Sequence, residues 1–473
     1  MSLTVTHSIP WQWPEAVRPG PSTEPLSLVG QLGEALRAAK VSYCQWKGNR
    51  KRDRWSIGQG DIDLLVDRAM VAEFAAVLRD LGFKPALPPA EWIVPGVQHY
   101  YGLDTASGRL VHVHACTRLM VGPPWRTHYR LPLERALLDT ACQRAVFKTP
   151  APEVELLALV LSQTLRRSWR DVVRPRNAVG REIQNLEEEA RPKRLAQALA
   201  THLPEIDQAT YDACRRALLP GASLWRRAAA RIALTRRLAE HARHPSPDGA
   251  LRREGAHHLA AGGAVVALLG ADGAGKSTCA QSLFKWLSPH LAAVHAHFGR
   301  PPRSLLTLLA GGALRVASRL PVDGLTAHLD LLRCVCTARD RARLSRRVWR
   351  FAAGGGIAIC ERYPAPENWT LVGPSHVQGL ALDAFSPLAS ALRRWEDRYY
   401  DRMPHPDVMF ALRLPPALAV HRKPDEPETY VRRRAELMWE ADWSRSEACV
   451  VDASQPLPQV VAALKTELWR RLA

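Results

Sequence analysis

The residues best placed to do chemistry form one short run, Gly270, Asp272, Gly273, Ala274, Gly275, Lys276, Ser277 and Thr278, behind an apolar stretch at 264–269. Glycines at 270, 273 and 275 can take backbone angles closed to other residues, so successive N–H groups can turn inward toward phosphate oxygens. Lys276 can then reach the β- and γ-phosphates, and the Ser277 hydroxyl can hold Mg2+. The spacing Gly-x-x-x-x-Gly-Lys-Ser after a strand-like run predicts an ATP site over residues 270–278 with Mg2+ as its cation.

Such a loop needs a sheet behind it. Residues 354–363 contain a second buried strand ending in Glu361 and Arg362, which puts both side chains at the sheet's C-terminal edge, where phosphates would lie. A third apolar strand at 407–414 precedes a helix at 416–420 and an arginine-rich segment, Arg422 to Arg434. Arginines there can close over a transferring phosphoryl group and neutralise its charge.

In this order the motifs over residues 263–473 resemble the thymidylate kinase branch of the P-loop nucleoside monophosphate kinases. The resemblance implies that Asp272 contacts the acceptor's sugar hydroxyl, that Arg341 and Arg362 hold its phosphate with Tyr363 beside them, and that Glu361 helps organise Mg2+ and water. It also implies a lid over residues 422–434 with Arg422 and Arg432 as catalytic candidates, since the loop offers Gly273 where some members carry a basic residue. Two features depart from that family. Thr337 stands where an aromatic residue would stack on thymine, and Tyr363 is followed by Pro-Ala-Pro-Glu-Asn-Trp instead of the usual serine and glutamine. Residues 298–329 read as an insertion able to build a different acceptor pocket.

A second constellation lies near the N-terminus, where Trp46-Lys47-Gly48 is followed by a glycine turn and then Asp61-Ile-Asp63 on a strand. Period-2 alternation puts Asp61 and Asp63 on one face, close enough to share Mg2+. This resembles the nucleotidyltransferase fold of the polymerase-beta superfamily, over residues 30–240 with the trailing helices. That family adds a third carboxylate from a later strand, but the strand that fits here carries His112 and His114. Imidazole is a poor Mg2+ ligand. Three readings stay open: a site of two carboxylates, a transition-metal or base site, or a domain that binds without catalysing.

At 473 residues and 47% hydrophobic, the chain is too long for one core and too apolar for disorder. The expected fold is α/β: a C-terminal P-loop kinase domain with a parallel sheet (263–473), and an N-terminal α+β nucleotidyltransferase-like domain (26–150) with a helical extension (151–242). An irregular proline-rich arm (1–25) precedes them, and a turn-rich linker (243–262) joins them. The formal net charge of +19 suggests an anionic partner, with basic residues scattered in short clusters. Nine irregularly spaced cysteines read as reduced core residues. With no secretory pattern at the start and no apolar stretch long enough to span a bilayer, the expected location is cytoplasmic.

The expected function is ATP-dependent phosphoryl transfer to a nucleoside monophosphate or related phosphorylated acceptor, the nucleotidyltransferase-like domain being accessory. One alternative is a bifunctional enzyme whose N-terminal domain transfers a nucleotidyl group to a sugar, small molecule or RNA end. Another is an ATP-switched nucleic-acid-binding protein, which the lack of a recognition motif or interleaved aromatics disfavours. The acceptor's identity and homodimer formation are left open.

Overall fold

The computed structural model describes residues 25–49, 52–89, 93–122, 128–166, 177–243, 256–319, 325–375, 387–443 and 446–473. Most of the N-terminal arm and residues 244–255 of the expected linker lie outside the described residues. The chain is mixed α/β.

The C-terminal sheet is five strands in the order Ala293–His297, Ile357–Glu361, Ala264–Gly270, Val408–Arg413, Cys449–Asp452, every neighbouring pair parallel. Its central strand is buried at all seven positions, as expected where helices cover both faces of a parallel sheet. The strand order departs in both directions from that central strand. A crevice therefore opens beyond its carboxyl end, the usual place for a ligand in such sheets.

The N-terminal sheet is six strands in the order Tyr43–Gln45, Asp61–Val66, Arg109–Cys116, Val97–Asp104, Lys84–Leu87, His258–Leu259. Asp61–Val66 and Arg109–Cys116 run parallel, and the other neighbours are antiparallel. Behind it, helices Pro152–Arg166, Asn177–Glu189, Pro192–His202, Gln208–Leu218 and Leu224–Arg237 build a separate apolar core around Leu156, Leu157, Leu161 and Ile183.

Two elements lock the sheets together. His258 and Leu259, within the expected linker, form the outermost strand of the N-terminal sheet, while the Leu259 N–H donates to the Gly355 carbonyl of the C-terminal half at 2.9 Å. Helix Leu457–Arg471 returns to the N-terminal sheet, where Trp469 Nε1 donates to the Gly82 carbonyl at 3.0 Å and Lys465 Nζ to the Gly108 carbonyl at 3.1 Å. Tyr101, Leu103 and Leu110 of the N-terminal sheet consequently share one core with the C-terminal strands.

Candidate functional site

The central strand ends at Gly270, and helix Lys276–Leu287 begins directly after the turn formed by residues 271–275. Gly273 and Gly275 both sit at φ of 83°, in the left-handed region that a side chain resists. A methyl group on Gly273 would also lie 3.0 Å from the Ala419 carbonyl oxygen, so the loop is closed to larger residues on two counts. Because the helix starts at Lys276, the amides of its first turn have no acceptor within the helix and the positive end of its dipole faces the loop. Ala274 and Thr278 complete this turn and first helical step.

Lys276 is buried, with Nζ donating to the Ala271 carbonyl at 2.6 Å and 4.0 Å from the Asp272 carboxylate. Burial and the nearby Arg362 charge push its amine down to about 7, against the pull of Asp272 and Glu361. Asp272 is buried too, and two arginines converge on it. Arg362 donates to one carboxylate oxygen, and Arg434 Nε donates to the other at 3.0 Å. Burial would raise the Asp272 carboxyl, but Lys276, Arg362 and Arg434 outweigh it and hold the group below its ordinary value.

Glu361 ends the strand beside the central one and is 1% exposed. Its carboxylate accepts from the Ser277 hydroxyl at 2.5 Å and lies 2.7 Å from His295 Nε2, on the strand beyond. Burial would raise its carboxyl, but these two hydrogen bonds and the charge of His297 turn the net shift downward. Arg362 follows with φ of 51°, a left-handed angle that costs a non-glycine residue roughly 1–3 kcal/mol. That bend lets its guanidinium reach Asp272 across the sheet edge.

The other expected residues occupy different settings. Arg341, on helix Leu325–Ala353, donates to the Phe298 and Val372 carbonyls, each at 2.9 Å, and to the Tyr400 hydroxyl, so its guanidinium ties segments together. Tyr363 is 1% exposed, and its hydroxyl donates to the Pro404 carbonyl at 2.6 Å while Trp349 Nε1 donates to it. Both side chains are engaged in packing contacts, and Arg341 donates to the carbonyl next to Leu371, whose own carbonyl Arg434 reaches. Arg422 donates to the Ala453 carbonyl at 3.1 Å, and Arg432 pairs with Glu428 one helical turn away on an exposed face. Of the arginine cluster on helix Glu428–Glu440, it is Arg434 that faces the loop. Three adjacent arginines gave no sequence signal to choose among them; helical rotation decides. His295 and His297 likewise reach Glu361 only through strand pairing, His297 opposite Glu361.

In the N-terminal sheet, parallel pairing sets Asp61 opposite His112 and Asp63 opposite His114. His112 Nδ1 lies 2.7 Å from Asp61 and His114 Nδ1 2.8 Å from Asp63, whose same oxygen is 2.6 Å from Lys47 Nζ. Burial would raise both carboxyls, but His112 at Asp61, and Lys47 with His114 at Asp63, bring both below the ordinary range.

No family model matches the chain. It is 23% identical over 222 residues to the uncharacterized ATP-binding protein YghR of Escherichia coli K12 and to the same protein of strain O6:H1. The match covers 42% of this chain and 83% of the relative. Among the described residues no helix is long and apolar enough to cross a membrane.

Proposed function

We propose that this chain is an ATP-dependent, cytoplasmic P-loop phosphotransferase of the thymidylate kinase type, moving a phosphoryl group to a nucleoside monophosphate or related phosphorylated acceptor. The observation that carries this reading is the meeting of three cationic side chains, Lys276, Arg362 and Arg434, with Asp272 above a glycine turn at a helix N-terminus. The likeness to an ATP-binding protein agrees with it.

In this mechanism the amides of residues 273–277 and Lys276 hold the donor phosphates. Asp272 fixes Arg362 and Arg434 at the spot where charge on the transferring group develops, so no reorganisation is needed at the moment of reaction. Ser277 and Glu361 present hydroxyl and carboxylate oxygens, the donor chemistry Mg2+ prefers, and these two residues would hold it. When bound, Mg2+ neutralises charge on the β- and γ-phosphate oxygens. His295 fixes the other Glu361 oxygen and so the carboxylate's orientation.

Nucleotidyl transfer by the N-terminal half is the weaker reading, since His112 and His114 stand at the third-acid strand and Asp63 is already engaged by Lys47 and His114. A nucleic-acid role is weaker still, because several basic residues, among them Arg215, Arg237 and Arg471, face acidic partners. The test is incubation with Mg-ATP and a panel of monophosphates, with mass spectrometry for new diphosphates. Product is expected from the wild type and not from Lys276→Ala of unchanged fold; equal turnover in both refutes the assignment.

A further inference from the structure

Away from the glycine loop, the seam between the two sheets gathers histidines from three separate segments. His99 comes from strand Val97–Asp104 and His112 from strand Arg109–Cys116. His257 comes from the segment entering the C-terminal half. Its N–H donates to the His290 carbonyl and its carbonyl accepts from Ala292, so the C-terminal half sets its position. One ring nitrogen from each of the three lies within 4.8 Å of the others, and His99 Nδ1 is 3.1 Å from His112 Nε2. Two imidazole nitrogens on one tetrahedral ion, each about 2.0–2.1 Å from it, stand about 3.3 Å apart.

The surroundings are those of ligating histidines. Asp61 lies 2.7 Å from His112 Nδ1, which leaves Nε2 of that ring with its lone pair directed at the cluster, the carboxylate–histidine arrangement that raises imidazole basicity. The Tyr101 hydroxyl lies 3.1 Å from His257 Nδ1, and the Tyr101 ring stacks on His112 at 4.4 Å with its plane 6° away. A nitrogen-only donor set suits borderline transition metals and is wrong for Mg2+ or Ca2+.

We propose that His99, His112 and His257 bind one divalent transition-metal ion of the zinc class, which latches the N-terminal sheet to the C-terminal half. Asp61 is then a positioning residue acting through His112, and its place opposite that histidine follows from strand register.

The test uses the tag-free full-length chain, stripped with chelator and titrated with ZnCl2, with bound metal measured by plasma mass spectrometry and thermal melting followed in parallel. One zinc per chain is expected, with a zinc-dependent rise in Tm. His99→Ala and His257→Ala should lose both effects while His202→Ala, outside the cluster, keeps them. Asp61→Asn should retain the site with affinity about 10- to 100-fold weaker. Cobalt substitution of the wild type should give the intense visible bands of a low-coordinate nitrogen site, a readout that needs no variant. Zinc below one tenth of an equivalent in the folded wild type, or full binding retained in folded His99→Ala and His257→Ala, overturns the proposal.

Discussion

On the proposed function, the buried amine of Lys276 makes ATP binding a proton-linked event with a definite sign. Its amine falls from the ordinary 10.5 to about 7 because burial and Arg362 disfavour the charged form. That interval corresponds to roughly 5 kcal/mol of penalty on the ammonium. Triphosphate oxygens arriving at the loop favour the charged lysine, so at about pH 8, where only about one tenth of the free protein carries it, binding should draw in close to one proton. Apparent affinity should weaken about 50-fold between about pH 7 and about pH 9. Stability of the free protein runs the other way: above pH 7 the unfolded chain holds a proton that the folded chain lacks, so the contribution from Lys276 rises with pH until about 10.5. Isothermal titration calorimetry in buffers of differing ionisation heat, repeated with Lys276→Met, measures the uptake. Equal uptake by both proteins, or wild-type affinity independent of pH above 7, would refute the reasoning.

Two further outcomes separate roles within the site. Glu361→Gln keeps the shape but gives up the charge that Ser277 and His295 both face, and should lower kcat about 100- to 1,000-fold, with the Kd for ATP from calorimetry moving far less. Arg434→Ala, which removes a half-buried contact to Asp272, should cost about 100-fold or more in kcat, whereas Arg432→Ala, an exposed partner of Glu428, should stay within about twofold. Steady-state assays that ranked the two arginines in reverse order would reassign the lid.

Local pattern carried most of the architecture around the site. Alternation and apolar runs marked the strands now seen as Asp61–Val66, Arg109–Cys116, Ile357–Glu361 and Val408–Arg413. The glycine loop was legible because its chemistry is contiguous: backbone angle, lysine and hydroxyl are fixed by neighbours in sequence. What stayed hidden depends on distance along the chain. Arg434 is distinguished from Arg432 and Arg433 only by the angle at which helix Glu428–Glu440 packs. Arg341 has the sequence context of an anion ligand, yet Phe298 and Val372 present bare carbonyls to it, which no local pattern reveals. The histidine cluster needed His257, more than 140 residues from His112, and a turn-rich stretch gave no reason to expect a strand there.

The edge strand His258–Leu259 has a consequence for how this chain can be divided. Expressed alone, residues upstream of it would present Lys84–Leu87 as a bare rim, open to pairing with any passing backbone. Residues downstream, expressed alone, would lose the cover of Tyr101, Leu103 and Leu110 and leave Trp469 Nε1 without the Gly82 carbonyl. Either fragment would therefore be sticky in a manner the intact polypeptide is not, and any genetic rearrangement that separated them would have to supply a new cover for each exposed border.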